Sequence, residues 1–353
     1  MGEQVASSWR WRFRLAEIMG SLQPPHPPSS TAPIISVVVL VYNHERFVED
    51  ALVSVLAQQG IGPIQVLVMN DASTDNTSAI LRRLEGAHPT LEVIEQPRNL
   101  GVVPNLADGL RRARGQYVAL LEGDDYWTTR HKLAAQVAWL EGHPEHPAVG
   151  HLTQSCDEKG ILVGEIPAVD QRRSASLRDA AIRPPFHTSS LVFRRELLAA
   201  LPDWMLDLPM GDWPISAVLA RYGEIAYLPT PMSLYRVHPA GVWSGADRMH
   251  KCEKLLATVG VIERNVGGRR PYYRRSRVIH LWLLMDTQVR SGARLSALRT
   301  AIRLGVRSPI TALRYLSRAE RDRRRIEIQG WHRLARSAQT QADPPPSIAV
   351  RPN

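Results

Sequence analysis

The chain has 353 residues, 44% of them hydrophobic and 22% charged, which is long enough to bury a sizeable core and too apolar for a mainly disordered or fibrous protein. Its formal charge is +10, but the stretch from Arg264 to Arg336 holds 19 arginines against four acids, so the remainder is net negative and the basicity belongs to the C-terminal region. Two cysteines, Cys156 and Cys252, exclude a disulfide framework or thiolate metal site and fit a cytoplasmic setting.

No run approaches the roughly 20 apolar residues that span a bilayer. The N-terminus mixes arginine with tryptophan and lacks a signal peptide's apolar segment. Residues 1–32 read as an N-terminal extension ending in the proline- and serine-rich linker SLQPPHPPSSTAP, which can neither continue a helix nor pair as a central strand.

Regular alternation follows. The apolar run from Ile34 to Val41 predicts a strand buried on both faces. From His44 to Gln59, Phe47, Val48, Ala51, Leu52, Val55 and Leu56 recur at helical spacing, and glycines end the stripe. Ile64 to Met69 predicts a second strand, followed by the polar turn NDASTDNT and a helix with Ile80, Leu81 and Leu84 on one face; Asp75 suits its N-cap. Leu91 to Glu95 predicts a third strand, Asn105 to Ala113 a helix stopped at Gly115, and Tyr117 to Leu121 a fourth strand. Strands alternating with helices indicate a doubly wound α/β domain.

The later pattern is less regular. Strands are expected at Ser189 to Phe193, Ile225 to Leu228 and Met232 to Val237, and a helix from Asp212 to Arg221. His143, His146 and His151 sit in a proline-interrupted stretch with no metal-ligand spacing and read as surface residues. Beyond Gly245 the chain turns helical and basic, broken at Gly267-Gly268 and Pro309.

In open α/β sheets, ligands bind beyond the carboxyl ends of the strands. Four turns therefore converge: Tyr42-Asn43-His44-Glu45, Asp71 to Asp75, Arg98 to Gly101, and Glu122-Gly123-Asp124-Asp125. Neither GxGxxG nor GxxxxGKS follows a strand, so the dinucleotide and P-loop readings lose their support. An acidic rim repels a nucleoside diphosphate unless a divalent cation lies between them, and hard oxygen ligands select Mg2+ or Mn2+.

The segments ISVVVLVYNHERFVEDALVSVLAQQ, VLVMNDASTDNT, NLGVVPNLADGLRRARGQYVALLEGDDYW, MGDWP and LYRVH resemble, in order, the motifs of family 2 glycosyltransferases. The resemblance implies a GT-A fold: a Rossmann-like, mostly parallel sheet with flanking helices, here joined to a C-terminal helical region. It divides the chain into a nucleotide-sugar-binding half (33–150), an acceptor-side half with the catalytic base (151–248), a basic helical region (249–338) and a disordered tail (339–353).

The resemblance also implies site residues. Tyr42, Glu45, Asp71, Asn99, Asn105 and Asp124 would contact the nucleotide, with Asp71 on the base, usually uracil. Asp124, Asp125 and His238 would hold Mn2+ or Mg2+, although Glu122 departs from the usual Asp-x-Asp text. Asp212 would be the base that deprotonates the acceptor hydroxyl in an inverting displacement of UDP, in cell-surface glycan or polysaccharide synthesis.

Each position has a plainer reading beside it. Asp71 and Asn99 suit turns, Asp75 and Asp212 suit helix caps, Asp124 and Asp125 suit a solvated acidic turn, and a lone histidine such as His238 is commonly structural. The arginine-rich region reads either as amphipathic helices on an anionic membrane surface, on the inner face, or as a helical appendage packed on the catalytic domain. Two other functions compete with the transferase: nucleic-acid binding through that region, which leaves the acidic rim unexplained, and a non-catalytic domain that binds sugar nucleotides.

Overall fold

The structure is a computed structural model and describes residues 33–166, 174–267 and 270–306. The N-terminal extension, the break at Pro309, the cluster from Arg321 to Arg325 and the tail at 339–353 lie outside the described residues.

Four parallel strands, β1 (Ile35–Val41), β2 (Ile64–Asn70), β3 (Leu91–Glu95) and β4 (Tyr117–Glu122), lie in the order β3-β2-β1-β4. Ile35 pairs with both Ile64 and Tyr117, Val41 with Asn70, and Asn70 with Glu95. The strands therefore end nearly level, so their exit turns share one edge.

Every residue of β1 is buried, and the two-residue period of a strand sorts its side chains between two layers. Ile35, Val37, Val39 and Val41 pack with α1 (Val48–Leu56), α2 (Thr77–Ala87) and α4 (Lys132–Gly142). Val38 and Leu40 pack with α3 (Val102–Arg112) and α6 (Asp212–Leu219) on the other face. Each such side chain contributes about 1.5–3 kcal/mol through burial. Gly115, expected as a helix stop, has a further reason to be glycine: a Cβ there would collide with the backbone of Ile35 and Ser36.

The sheet continues past β4. The antiparallel strand β9 (Val192–Arg194) joins β4 to β6 (Ala148–Cys156), which is followed by β10 (Ile225–Arg236) and β5 (Tyr126–Trp127). Short strands β7 (Leu162–Ile166) and β8 (Ser174–Ala175) pair with β6 and β10, giving ten strands among the described residues.

Several expectations are corrected here. The two strands expected between Ile225 and Val237 are one, whose register against β6 shifts near Pro231. Thr188–Ser190 is a 3-10 turn, and the strand begins only at Val192. β6 and α4 were not expected at all. His151 is not a surface residue: it lies within β6 and is 2% exposed.

The basic region forms α7 (Arg248–Asn265), α8 (Arg270–Arg290) and α9 (Arg294–Val306). Val259 and Ile262 of α7 and Tyr273 of α8 enter the core that contains Trp213. Ser276 donates to the carbonyl of Ile182 at 2.8 Å, at the end of α5 (Leu177–Ile182). The first two helices are thus packed on the domain, as the appendage reading expects. No described helix is long and apolar enough to cross a membrane.

Candidate active site

The turns after β1 and β2 are knitted together by their own polar side chains. Asn43 and Ala72 both take left-handed backbone angles, φ 55° and 56°, a region that asparagine tolerates and alanine rarely enters. The Asn43 carbonyl oxygen accepts from the Thr74 amide at 2.7 Å, and the Asn43 amide donates to Ser73 Oγ at 2.9 Å. Glu45 accepts from the Asn76 amide at 2.8 Å, while Asp75 accepts from the amides of Glu45 and Thr77. Asp75 therefore braces the start of α2 from one residue before the N-cap, which is Asn76 and not Asp75 as expected.

Asp71 is 3% exposed and takes the amides of Leu100 and Gly101, at 2.7 and 2.9 Å, on its two oxygens. These bonds fix the turn that leads into α3, where Gly101 adopts φ 89°. Asn105 is buried, donating to the Met69 carbonyl at 2.9 Å and accepting from Gln96 at 3.1 Å. Its amide bolts α3 to the sheet. Asn99 is exposed and accepts from Gly101, and Tyr42 stands 38% exposed at the rim.

The centre is the turn Glu122-Gly123-Asp124-Asp125. A Cβ on Gly123 would press on His44 and Val41, so the glycine lets the turn close against β1. Arg236, at the end of β10, holds the two aspartates in place. Its amide donates to Asp125 Oδ1 at 2.9 Å, and its guanidinium reaches the Asp124 carbonyl at 3.0 Å and Asp50 at 3.1 Å. The same guanidinium lies over the rings of Phe47 and Tyr126, a cation–π arrangement that shields a buried charge.

Asp124 Oδ2 lies 3.0 Å from His238 Nε2 and 3.7 Å from His44 Nε2. Burial alone would raise its carboxyl, but the charge of His44 and the bond from His238 outweigh it and hold Asp124 below the usual range. Asp125 goes the other way. Burial first, then the charges of Asp124 and Glu122, push it well above the carboxylate range, and its Oδ2 is buried with no hydrogen-bond partner.

Glu122 is pushed up to about 8 by burial and by the charges of Asp124 and Asp212, against a bond from Thr188. Asp212, the first residue of α6, is also raised by burial. Behind it Trp213 is fully buried and donates to the Ala180 carbonyl at 2.5 Å. Three acids whose proton affinity is raised together, one with an orphaned oxygen, are what a cation would relieve. Among the described residues, Glu122, Asp125 and His187 bring one ligand atom each to within 4.8 Å of the others. Two carboxylates and an imidazole make a possible site for a divalent cation.

Over residues 36–201 the sequence matches the model of the family described as Glycosyl transferase family 2. The match takes in somewhat under half of the chain, which over this stretch is similar to that family. An uncharacterized protein of Mycobacterium tuberculosis is 37% identical over 213 residues, which is 60% of this chain and 61% of the relative, so the chain spans about three fifths of that relative's length. Among solved structures, TarS of S. aureus in complex with UDP-GlcNAc superposes with a TM-score of 0.55 at 18% identity, over 71% of this chain and 72% of that one. The mannosyltransferase of Pyrobaculum calidifontis in complex with GDP-Man and Mn2+ also scores 0.55, at 22% identity over 90% of this chain and 94% of that one. These likenesses establish the GT-A fold of the chain.

Of the residues singled out from sequence, Asp124, Asp125, Asp212 and His238 belong to one neighbourhood around Glu122, while Tyr42, Glu45, Asp71, Asn99 and Asn105 line or brace the first three turns. Sequence reasoning gave no role to His187, His44 or Arg236. His187 lies 3.7 Å from Asp125 and hydrogen-bonds Ser189 Oγ at 2.9 Å, and burial lowers it to about 4. Its only signal was position, a lone histidine heading the hydroxyl-rich turn His-Thr-Ser-Ser before a strand. Arg236 offered a better one, because an arginine inside an apolar strand has to find carboxylates.

Proposed function

We propose that the transferase moves a sugar from a nucleoside diphosphate donor, UDP by its resemblance to the family motifs, onto an acceptor hydroxyl by a single inverting displacement assisted by Mn2+ or Mg2+. The observation that carries this reading is the convergence of Glu122, Asp124, Asp125 and Asp212 at the strand ends, with a buried Asp125 oxygen lacking a hydrogen-bond partner. Asp71 and the turns beside it would receive the nucleoside. Both Asp71 oxygens already hold backbone amides, which sets the carboxylate rigidly and leaves each oxygen a lone pair for a base N–H.

Asp124, Asp125 and His238 would hold the cation at the mouth; the closer grouping of Glu122, Asp125 and His187 supports a deeper position that shares Asp125. When bound, the cation neutralises charge on the departing diphosphate. Asp212 takes the acceptor's proton as the new glycosidic C–O bond forms and the bond from the anomeric carbon to the diphosphate breaks. Burial raises its proton affinity, in the direction a general base requires.

Titration calorimetry with uridine, guanosine, cytidine and thymidine diphosphates, each with and without Mn2+, tests the reading. One nucleotide is expected to bind in a Mn2+-dependent way that Asp125→Ala abolishes. His238→Ala and His187→Ala separate the outer cation position from the deeper one. Absence of binding by all four nucleotides refutes the donor site.

A further inference from the structure

Helix α9, sequence RLSALRTAIRLGV, has two apolar sides, and only one is packed. Ala297, Thr300 and Leu304 are buried, and Thr300 donates to the Gln288 side chain of α8 at 2.8 Å. This is the side turned to the protein. Away from it, Leu295, Leu298 and Ile302 are 77%, 58% and 54% exposed.

At about 100° per residue, those three side chains fall within about 60° of the helix circumference. Single exposed leucines are ordinary on a protein surface, but an aligned stripe of them is not. The stripe has charged edges: by the same geometry Arg294 borders it on one side, Arg299 and Arg303 on the other. All three arginines are exposed, and α9 contains no acid.

On the helices beneath, three arginines are neutralised. Arg248 and Arg290 pair with Asp286, and Arg277 with Glu263. No such partner meets Arg294, Arg299 or Arg303 among the described residues. Apolar side chains framed by unpaired cations complement a surface with an apolar interior and an anionic skin.

We propose that α9 docks on an anionic lipid bilayer, with Leu295, Leu298 and Ile302 entering the acyl boundary and Arg294, Arg299 and Arg303 meeting lipid phosphates. The arginines flank the stripe on both edges, which suits a plane of phosphates. The helix lies in the interface and does not cross it.

The test is flotation of the full chain with vesicles of phosphatidylcholine alone or mixed with phosphatidylglycerol. The wild type is expected to float with the anionic vesicles only. Leu295→Gln, Leu298→Gln and Ile302→Gln combined should lower that partitioning by on the order of tenfold or more. These side chains are exposed, so the triple variant should keep the wild-type melting temperature.

A second measurement reads insertion directly and needs no loss of binding. Leu298→Cys carrying an environment-sensitive fluorophore should brighten and shift to the blue on anionic vesicles. Flotation of the triple variant equal to wild type would assign membrane binding to arginines elsewhere and overturn the proposal. So would an unshifted label, failure of the wild type to float, or a wild-type dimer that the triple variant dissolves, which would make a second copy the occupant. Nucleotide binding plays no part in any of these outcomes, so they stand apart from the donor-site reading.

Discussion

Replacing Glu122 with glutamine removes a charge from the most crowded point of the acidic rim while keeping an acceptor for Thr188. In the unfolded chain the carboxyl ionises near 4.5, and in the native protein near 8. The folded protein therefore holds a proton that the unfolded chain has released. The resulting destabilisation is absent below pH 4.5, grows as pH rises, and is complete above pH 8. At about 1.4 kcal/mol per pH unit this is about 3 kcal/mol at pH 7 and about 5 kcal/mol above pH 8.

Glu122→Gln carries none of that cost. Urea unfolding in the presence of a chelator should show variant and wild type closest near pH 4.5, with the variant pulling ahead by about 3 kcal/mol at pH 7. Adding Mn2+ at pH 7 should narrow the gap, because a cation at the proposed site favours the ionised carboxylates of the wild type. A gap that stays constant with pH would refute the reasoning that Glu122 is a buried acid without compensation.

Other substitutions test other parts. Asp212→Asn should lower turnover by about 10²–10⁴-fold with little change in nucleotide affinity by calorimetry; equal losses in both would remove Asp212 from the proton-transfer step. Arg236→Met keeps the backbone amide on Asp125 but strips the guanidinium from the carbonyls of Asp124 and Glu158 and from the exposed Asp50, and should cost about 1–3 kcal/mol in chemical denaturation; a loss below about 0.5 kcal/mol would show that the turn does not depend on it. Burial lowers His280 from 6.5 to about 4, so its contribution is fully present above pH 6.5 and is lost as pH falls toward 4. His280→Gln should lose about 3 kcal/mol less than wild type over that window, and parallel pH curves would contradict the shift.

The sequence made the first half of the sheet legible because β1, β2 and β4 are continuous apolar runs buried on both faces, with turns whose polar residues fall where strand ends align. β6 was hidden for the opposite reason. Its text, AVGHLTQSC, places His151, Thr153 and Ser155 in the interior. Thr153 is satisfied by Ser233 at 3.0 Å, which in turn receives Ser189 at 3.1 Å. Ser233, 80 positions away in sequence, makes Thr153 acceptable inside, and no local window contains both. α4 was masked likewise, since Lys132 and Gln136 lie on its buried side, the lysine over the ring of Trp127.

At the site, residue types were readable and partnerships were not. The acidic turn announced itself, but whether Asp124 or Asp125 carries the orphaned oxygen depends on Arg236, which reaches both from 111 and 112 positions downstream. The resemblance placed Asn105 among the nucleotide contacts, but its bonds to Met69 and Gln96 could be read only from the fold.

Strand β9 is only three residues long, yet it is hydrogen-bonded on one side to Tyr117–Ala119 and on the other to Ala148 and Val149. It acts as a rivet between the half that would receive the donor and the half that contributes Asp212. Swinging these halves apart like jaws would shear both ladders at once, and with them the turn that carries His187. The body of the fold is thus tied together by hydrogen bonds on both sides of β9, and any movement that admits a ligand to the proposed site would fall to the turns along its edge.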